Sequence, residues 1–213
     1  MNVYTPEQFF DLSAFPFADL FSADEPVWKG IADIDAYITS VFAQGKLTPN
    51  YKGRTDVFIG EGTIIDDYVS IEGPAIIGNN CHLRHASLIR NGCILGNNVT
   101  IGHAAEIKHS IFLNDSSAAH LNYIGDSIIG NRVNISGGAM AANFRLDKRT
   151  IMIKRGDEKI DTGLVKFGAV IGDNSIIGVN SVLNPGTILG KQTVVYPLVS
   201  ARGTHEAGEV IKA

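Results

Sequence analysis

Three ionisable residues stand out because their types and spacing could support one reaction. Arg90 and Lys108 are 18 residues apart, and His120 follows a short distance further along the chain. Two cations side by side can bind a phosphate dianion through charge-assisted hydrogen bonds. A histidine titrates near neutral pH and can accept a proton from an amine or an alcohol. The pattern indicates a phosphate site near a general base. The alternative is two solvated surface cations that point apart and a structural histidine.

A repeat of six residues determines where these side chains must lie. One aliphatic residue recurs at every sixth position: Ile59, Ile65, Ile71, Ile77, Leu83, Ile89, Leu95, Ile101, Ile107 and Leu113. This period is typical of a parallel β-helix built of hexapeptides. A second column, four residues after each aliphatic, is small or β-branched, as a narrow, dense core requires. Three hexapeptides make one coil, so residues 18 apart stack about 4.8 Å apart. Arg90 and Lys108 are therefore predicted to share a corner on successive coils.

Glycine often follows the aliphatic residue of a hexapeptide, at Gly60, Gly78, Gly96 and Gly102. We expect these glycines at corners where the chain turns sharply, because glycine tolerates turn conformations that other residues avoid. Polar pairs such as Asn79-Asn80 come next in the same corners.

The rest of the chain divides around this repeat. Residues 1–50 lack the period and contain helical spacing, with Trp28 at the start of one helix and Gly45 after its end. We expect them to form an α-helical cap on the open end of the β-helix, because a bare end exposes sheet edges. Residues 51–200 form the β-helix. Residues 143–166 form one protruding loop with a small hairpin around Arg155-Gly156-Asp157, and residues 201–213 a polar tail.

Composition excludes several classes of function. The 213 residues carry a formal net charge of −4 and no run of lysine and arginine, which argues against binding to nucleic acid. No apolar stretch of membrane-spanning length and no secretory leader is visible, so we expect a cytoplasmic protein without membrane contact. Cys81 and Cys93 fall at inward positions and are expected to be buried, reduced thiols. His85 and His103 share a corner but lack acidic partners, so no metal site is expected.

Four segments carry a resemblance to a known family. The chain resembles the acetyltransferase domain of glucosamine-1-phosphate N-acetyltransferases in Ile107-Lys108-His109-Ser110, Ala119-His120-Leu121-Asn122-Tyr123-Ile124-Gly125-Asp126, Val133-Asn134-Ile135-Ser136-Gly137-Gly138 and Ala142-Asn143. The charged loop and Leu183-Asn184-Pro185-Gly186 are most similar to the archaeal-type sugar-1-phosphate versions. The resemblance covers about residues 55–200.

The resemblance implies a left-handed coil, a homotrimer with active sites between subunits, and acetyl-CoA as donor. It implies that the protein acetylates the amine of an amino-sugar 1-phosphate, with glucosamine 1-phosphate favoured, in nucleotide-sugar biosynthesis. The residues that match the family's site are His120 as general base, Arg90 and Lys108 at the phosphate, Tyr123 and Asn134 at the sugar, Gly137 at the thioester oxyanion, and Asn143 and Val179 at acetyl-CoA.

Departures from the family pattern leave alternatives open. No Gly-rich nucleotide motif lies in residues 1–50, so a separate sugar-1-phosphate nucleotidyltransferase is an expected partner. Asn143 precedes Phe144-Arg145-Leu146-Asp147 rather than Tyr-Asp-Gly, and Arg90 precedes Asn91 rather than Pro. The acceptor could therefore be another amino sugar, a nucleotide-sugar or a hydroxyl group. A non-catalytic trimeric scaffold for a pyrophosphorylase and a metal-dependent, carbonic-anhydrase-like protein are the alternatives from other classes.

Overall fold

The computed structural model describes residues 4–155 and 157–212, which form a left-handed parallel β-helix of about eight coils, as predicted. Short parallel strands stack into three sheets, here called the first, second and third faces. The chain passes from the first face to the second and then to the third in each coil. Most of the polar residues described below lie at the corners between these faces.

The strands of each face are short and regular. The first face contains Val57–Ile59, Ala75–Ile77, Cys93–Leu95, Ile111–Phe112, Ile128–Ile129, Ala169–Ile171, Thr187–Leu189 and Thr204–His205. The second contains Ile64–Ile65, His82–Leu83, Thr100–His103, Ser117–His120, Asn134–Ile135, Ile176–Ile177, Val194–Val195 and Val210–Ile211. The third contains Ser70–Ile71, Leu88–Ile89, Glu106–Lys108, Tyr123–Gly125, Met140–Ala141, Val182–Leu183 and Ser200–Ala201.

The register follows the predicted coil of three full hexapeptides only at the start of the β-helix. Ile77 pairs with Ile59 and with Leu95, one full coil away in each direction. Leu95 then pairs with Phe112, and Phe112 with Ile129, and each of these coils is one residue short. One residue is missing from the turn before Phe112 and one from the turn before Ile129.

These two shortened turns overturn part of the predicted repeat. Phe112 occupies the β-helix core in place of Leu113, whose side chain packs on the outside of the first face together with Ile111. A strict count of six predicts that Leu113 and Ile111 both point into the core. Together the two lost residues bring the next inward aliphatic residues to Ile129 and Ile135, two positions earlier than a strict count from Leu113 requires, but the sequence does not show where each residue is lost.

The N-terminal residues form the predicted helices but lie in a different place. Helix α1 spans Pro6–Phe9, a 3₁₀ turn spans Ala18–Leu20, and α2 spans Lys29–Ala43, followed by Gly45 with φ +68°. Their apolar side chains pack along the first face, not over an open end. The outward residues of that face are apolar in successive coils: Ile76, Ile94, Ile111, Ile128, Val170 and Ile188. Burying this stripe removes more apolar surface from water than covering one coil end could.

The loop between Ala141 and Ala169 contains the predicted hairpin, with Met152–Arg155 antiparallel to Glu158–Asp161. Gly156, predicted at its turn, lies outside the described residues. Ile151 and Ile153 are buried in the same apolar layer as the N-terminal helices. The loop therefore packs part of its length against the first face, while charged side chains such as Lys154, Glu158 and Lys159 stay at the surface.

The expected polar tail at residues 201–213 is wrong for most of its length. Thr204–His205 pairs with the first face and Val210–Ile211 with the second, which continues the β-helix. Leu189 pairs with His205 across a further shortened coil, and a histidine stands where other coils have an aliphatic residue. Both the period and the composition change here, so the pattern ends before the fold does.

The corner between the first and second faces carries an asparagine ladder, formed by Asn79, Asn97, Asn114, Asn131 and Asp173. Each side-chain oxygen accepts a backbone N–H one coil earlier, as in Asn79 N–H to Asn97 Oδ1 at 2.8 Å. Gly78 precedes this ladder without a positive φ, and an added Cβ would overlap the carbonyl of Gly96. These glycines are needed for close stacking of coils, not for the sharp turn that we predicted.

Candidate active site

The cation corner, between the third and first faces, brings together Arg90 and Lys108. Ile89 pairs with Ile107, so the two cations that follow them lie on adjacent coils, as predicted. Gly125 pairs with Lys108 and is the next residue in the column. The side chain of Arg90 is 36% exposed and that of Lys108 is 14% exposed.

Both cations have carboxylate partners that the sequence analysis did not identify. Arg90 donates from Nη1 to Glu106 Oε1 at 2.9 Å, and its Nε lies 3.7 Å from Glu72. Lys108 donates to Asp126 Oδ2 at 3.0 Å. These acids balance the charges of both cations within the chain itself. A guanidinium has five N–H donors and an ammonium three, so donors remain for an anion at this corner.

Asp126 connects the cation corner to the loop. Its carboxylate accepts hydrogen bonds from Lys108 and from a close contact with Asn143 Nδ2. Burial alone would raise the pKa of Asp126, but the close contact with His109 and the hydrogen bonds from Asn143 and Lys108 outweigh it and hold the pKa below its usual value. Asp126 is therefore a buried anion that orients two of the predicted site residues.

The side chains of Tyr123 and Asn143 both pack over the backbone of Gly125. A Cβ at this position would lie 2.6 Å from the Tyr123 hydroxyl and 2.7 Å from Asn143 Nδ2. Burial raises the pKa of Tyr123, and the charges of Asp126 and Glu106 add to the rise. The phenol stays neutral at physiological pH and can donate a hydrogen bond to a ligand above the third face.

His120 lies at the histidine corner, between the second and third faces, with His85 and His103. His120 pairs directly with His103, because the first shortened turn falls between them. The rings of His85 and His103 stack at 5.3 Å. His120 does not project from the corner of Arg90 and Lys108, although we expected the general base to lie near the phosphate site. Within one chain they lie at opposite ends of the third face, with Tyr123 between them.

The histidine corner also holds two of the predicted cofactor residues. A Cβ added to Gly137 would lie 3.7 Å from the carbonyl oxygen of His120. Within residues 4–155 and 157–212, the Gly137 N–H has no hydrogen-bond acceptor, and neither has the exposed imidazole of His120. Val179 lies level with Gly137 on the next coil, because Ile135 pairs with Ile177 and each residue of interest follows two positions later. Its side chain is half-exposed. The imidazole of His120 and the unpaired N–H of Gly137 thus lie in the same corner on adjacent coils.

Asn134 is separated from the other predicted sugar-binding residue. It lies on the second face and accepts a hydrogen bond from Ser117 Oγ at 2.9 Å, whereas Tyr123 lies on the third face. Sequence reasoning also missed Glu106, Gly125 and Asp126. Glu106 could have been found, because it precedes Lys108 by two residues and so projects from the same side of its strand.

The remaining expectations concern cysteines, metals and cavities. Cys81 and Cys93 are buried free thiols, and burial raises the pKa of Cys93 to about 12. The described residues contain no cluster of three metal-ligating side chains, and no described helix has the length and apolarity needed to cross a bilayer.

A groove of about 820 Å³ lies beyond the cation corner, lined by Ala142, Phe144, Lys154, Asn184 and Arg202 among others. A cavity of about 480 Å³ near Phe15 and Tyr37 is remote from these residues.

The family of bacterial transferase hexapeptide repeats (six repeats) matches residues 56–91. Together with the β-helix, this match shows that the chain carries a hexapeptide-repeat transferase domain, of the class formed by the hexapeptide-repeat acyltransferases.

Curated relatives make this assignment more specific. The chain is 34% identical over 140 residues to the bifunctional sugar-1-phosphate nucleotidylyltransferase/acetyltransferase of Sulfurisphaera tokodaii, which covers 62% of this chain and 33% of that protein. It is 43% identical over 65 residues to the bifunctional protein GlmU of Methanococcus aeolicus, covering 30% of this chain and 16% of that protein. The chain spans a third or less of the length of these two relatives.

Two solved structures of acyltransferases show weaker similarity to the chain. The polysialic acid O-acetyltransferase OatWY is 18% identical, with a TM-score of 0.42 and coverage of 72% of this chain and 79% of that one. A variant of AntD, an N-acyltransferase from Bacillus cereus in complex with dTDP and coenzyme A, is 16% identical, with a TM-score of 0.39 and coverage of 70% and 74%.

Proposed function

We propose that this protein transfers the acetyl group of acetyl-CoA to the amine of an amino-sugar 1-phosphate, with glucosamine 1-phosphate as the favoured acceptor. The observation that carries the proposal is the arrangement of the third face. Two cations with free N–H donors lie at one end, an imidazole and a free backbone N–H lie at the other, and a phenol lies between them. The names of the two relatives agree with this chemistry.

The acceptor would lie across the third face. Arg90 and Lys108 bind its phosphate with the donors that Glu106 and Asp126 leave free, and Tyr123 contacts the sugar. The phosphate and the amine lie on neighbouring carbons of the sugar, so holding the phosphate fixes where the amine lies, and binding contributes to rate through proximity. Asn134 lies on the second face of its own chain, away from Tyr123. It would therefore contact the sugar of an acceptor that a neighbouring subunit holds.

At the histidine corner, neutral His120 accepts a proton from the amine as the nitrogen attacks the thioester carbon. The N–C bond forms, the Gly137 N–H donates to the developing oxyanion, and the C–S bond then breaks. The imidazolium returns the proton to the departing thiolate. This balance requires no acyl-enzyme, and both described cysteines are buried at the core, away from the imidazole.

Acetyl-CoA is the proposed donor, with Asn143 and Val179 on its path. Val179 extends the column of His120 and Gly137, and Asn143 lies beside the groove of about 820 Å³. The cations Lys154 and Arg202 line that groove and suit the phosphates of coenzyme A. No metal enters the proposed transfer.

We further propose a cytoplasmic homotrimer that places this site between subunits. The second face and the histidine corner carry large apolar side chains that are exposed in the single chain: Ile64, Tyr68, Leu121, Ile176, Leu198 and Val210. Such a patch is typical of a surface that is covered in an assembly. A separate sugar-1-phosphate nucleotidyltransferase would consume the acetylated product.

The test is release of coenzyme A thiol from acetyl-CoA in the presence of glucosamine 1-phosphate, followed with a thiol reagent. Galactosamine 1-phosphate, UDP-glucosamine and a sugar with only hydroxyl acceptors serve as parallel substrates. Highest kcat/KM with glucosamine 1-phosphate supports the proposal. Preference for the UDP-sugar or the hydroxyl acceptor would replace it, and absence of turnover with every acceptor would contradict it.

A further inference from the structure

A line of polar contacts connects the N-terminal helices to the cation corner. Asp35 on α2 lies 3.5 Å from His109 Nε2, and His109 Nδ1 lies 3.2 Å from Asp126 Oδ1. Asp126 in turn accepts from Lys108 at 3.0 Å. These four side chains link a helix outside the hexapeptide repeat to a residue of the proposed acceptor site.

The centre of this line is buried. The side chain of Asp126 is 6% exposed, and that of His109 is 19% exposed. Nδ1 of His109 is close enough to Asp126 for an ion pair, although its direction is not that of a hydrogen bond. A buried carboxylate is stable only when its partners are held in place. The position of Lys108 therefore depends on what holds Asp126.

The shortened turns and one glycine create this contact. Lys108 lies at the first shortened turn and Asp126 at the second. The Asp126 N–H donates to the Lys108 carbonyl at 2.8 Å, so the two turns stack directly on each other. At Gly92, an added Cβ would lie 2.7 Å from Asp35 Oδ1 and would overlap the ring of His109. The absence of a side chain at position 92 lets the helix carboxylate approach the imidazole.

We propose that Asp126, His109 and Asp35 are positioning residues for Lys108, so that helix α2 forms part of the acceptor-phosphate site. The inference rests on the proposed function and deepens it. Asp126 fixes the ammonium and the Asn143 amide, His109 fixes the second oxygen of Asp126, and Asp35 fixes the outer edge of His109. None of the three touches the acceptor. Their effect is on acceptor binding, not on the chemical step.

The experiment compares His109→Gln and Asp35→Ala with Asp33→Ala, a control on the same helix. Asp33 pairs with Lys29 at 2.9 Å on the exposed side of α2. We expect KM for glucosamine 1-phosphate to rise about threefold to tenfold in His109→Gln, which loses a contact to a buried charge. We expect about a twofold rise in Asp35→Ala, whose ion pair is exposed. kcat should stay within error of the unmodified protein, and KM for acetyl-CoA should change less than KM for the acceptor, because Asp126 also contacts Asn143 on the donor's path.

A second measurement separates this inference from the proposed function. Binding of glucosamine 1-phosphate and of inorganic phosphate is measured by calorimetry without donor, and melting temperatures are recorded for all variants. Weaker binding of both ligands in His109→Gln and Asp35→Ala, but not in Asp33→Ala, supports the inference. Unchanged KM and unchanged binding in an active protein would overturn it and leave the proposed function intact. A protein that turns over no acceptor and binds neither ligand would overturn both.

Discussion

The asparagine ladder and the cation corner are both polar columns on the same β-helix, yet they differ in regularity. Every rung of the ladder makes the same hydrogen bond, and Asp173 continues it where the asparagines end. The cation corner changes in each coil, from Arg90 to Lys108 to Gly125. A repeated contact adds stability coil by coil, whereas a column whose residues change builds a specific surface. The comparison favours the column whose residues change, rather than the regular one, as the place of the proposed site.

The two columns also differ in what they remove from water. The ladder joins side-chain oxygens, from four asparagines and Asp173, to backbone N–H groups and runs from the exposed Asn79 to the buried Asn131, each hydrogen bond contributing about 1 kcal/mol. The cation corner buries the Lys108–Asp126 pair, for which desolvation offsets much of the attraction. A hydrophobic substitution would serve stability as well, so the charges point to a role in recognition.

The largest effect on kcat is expected at His120, the proposed general base, which lies after the first shortened turn. Replacing His120→Asn removes the general base and should lower kcat by roughly 10²–10⁴-fold. The change is measured by thiol release at saturating substrates. His103→Asn, in the same column, is the matched control and should keep kcat within about threefold. A similar kcat in both variants would show that the column is structural throughout.

Arg90 tests the cation corner with less disturbance than Lys108, because its partner Glu106 is not deeply buried. Arg90→Ala should raise KM for glucosamine 1-phosphate about tenfold, the loss expected for a hydrogen bond to a charged group. KM for acetyl-CoA should not change. An equal rise in both constants would mean that the residue supports the fold rather than the phosphate.

The ladder is tested at Asn97, whose Oδ1 accepts the Asn79 N–H. Asn97→Ala removes the acceptor of this exposed hydrogen bond and should lower the free energy of unfolding by about 0.5–1.5 kcal/mol, measured by urea denaturation. Asn97→Asp keeps the acceptor, as Asp173 does, and should lose less. Turnover per folded molecule should be the same in both variants. If only Asn97→Ala reduced kcat, the ladder would have a functional role after all.

The smallest effect is on the pH dependence of stability at Asp126. The folded-state pKa lies below the unfolded value of about 3.8, so its stabilisation is fully present above that value. It is lost as pH falls through the folded-state pKa. The melting temperature of the unmodified protein should therefore approach that of Asp126→Asn between pH 5 and pH 2. Parallel curves over this range would contradict the assigned shift.

Part of the site follows from the spacing of residues in the sequence. The pairing of Arg90 with Lys108 is predictable because the coils that carry them contain three complete hexapeptides. The position of His120 is not, because a residue is lost between Lys108 and Phe112, and the loss moves His120 into the column of His103. A strict count of six would place His120 level with the buried Gly102, one position earlier in the same corner, so one missing residue changes whether the side chain points inward or to solvent.

The sequence by itself determined the architecture and the inventory of reactive groups, because an aliphatic residue at every sixth position is compatible with little other than a hexapeptide β-helix. Tertiary structure alone decided three further features: the helices lie along the first face, the last coil continues to Ile211, and Asp126 is bound by His109 and Lys108. The reason is physical. Periodicity records which side chains point inward in each coil, whereas contacts between outward side chains depend on where other segments of the chain pack.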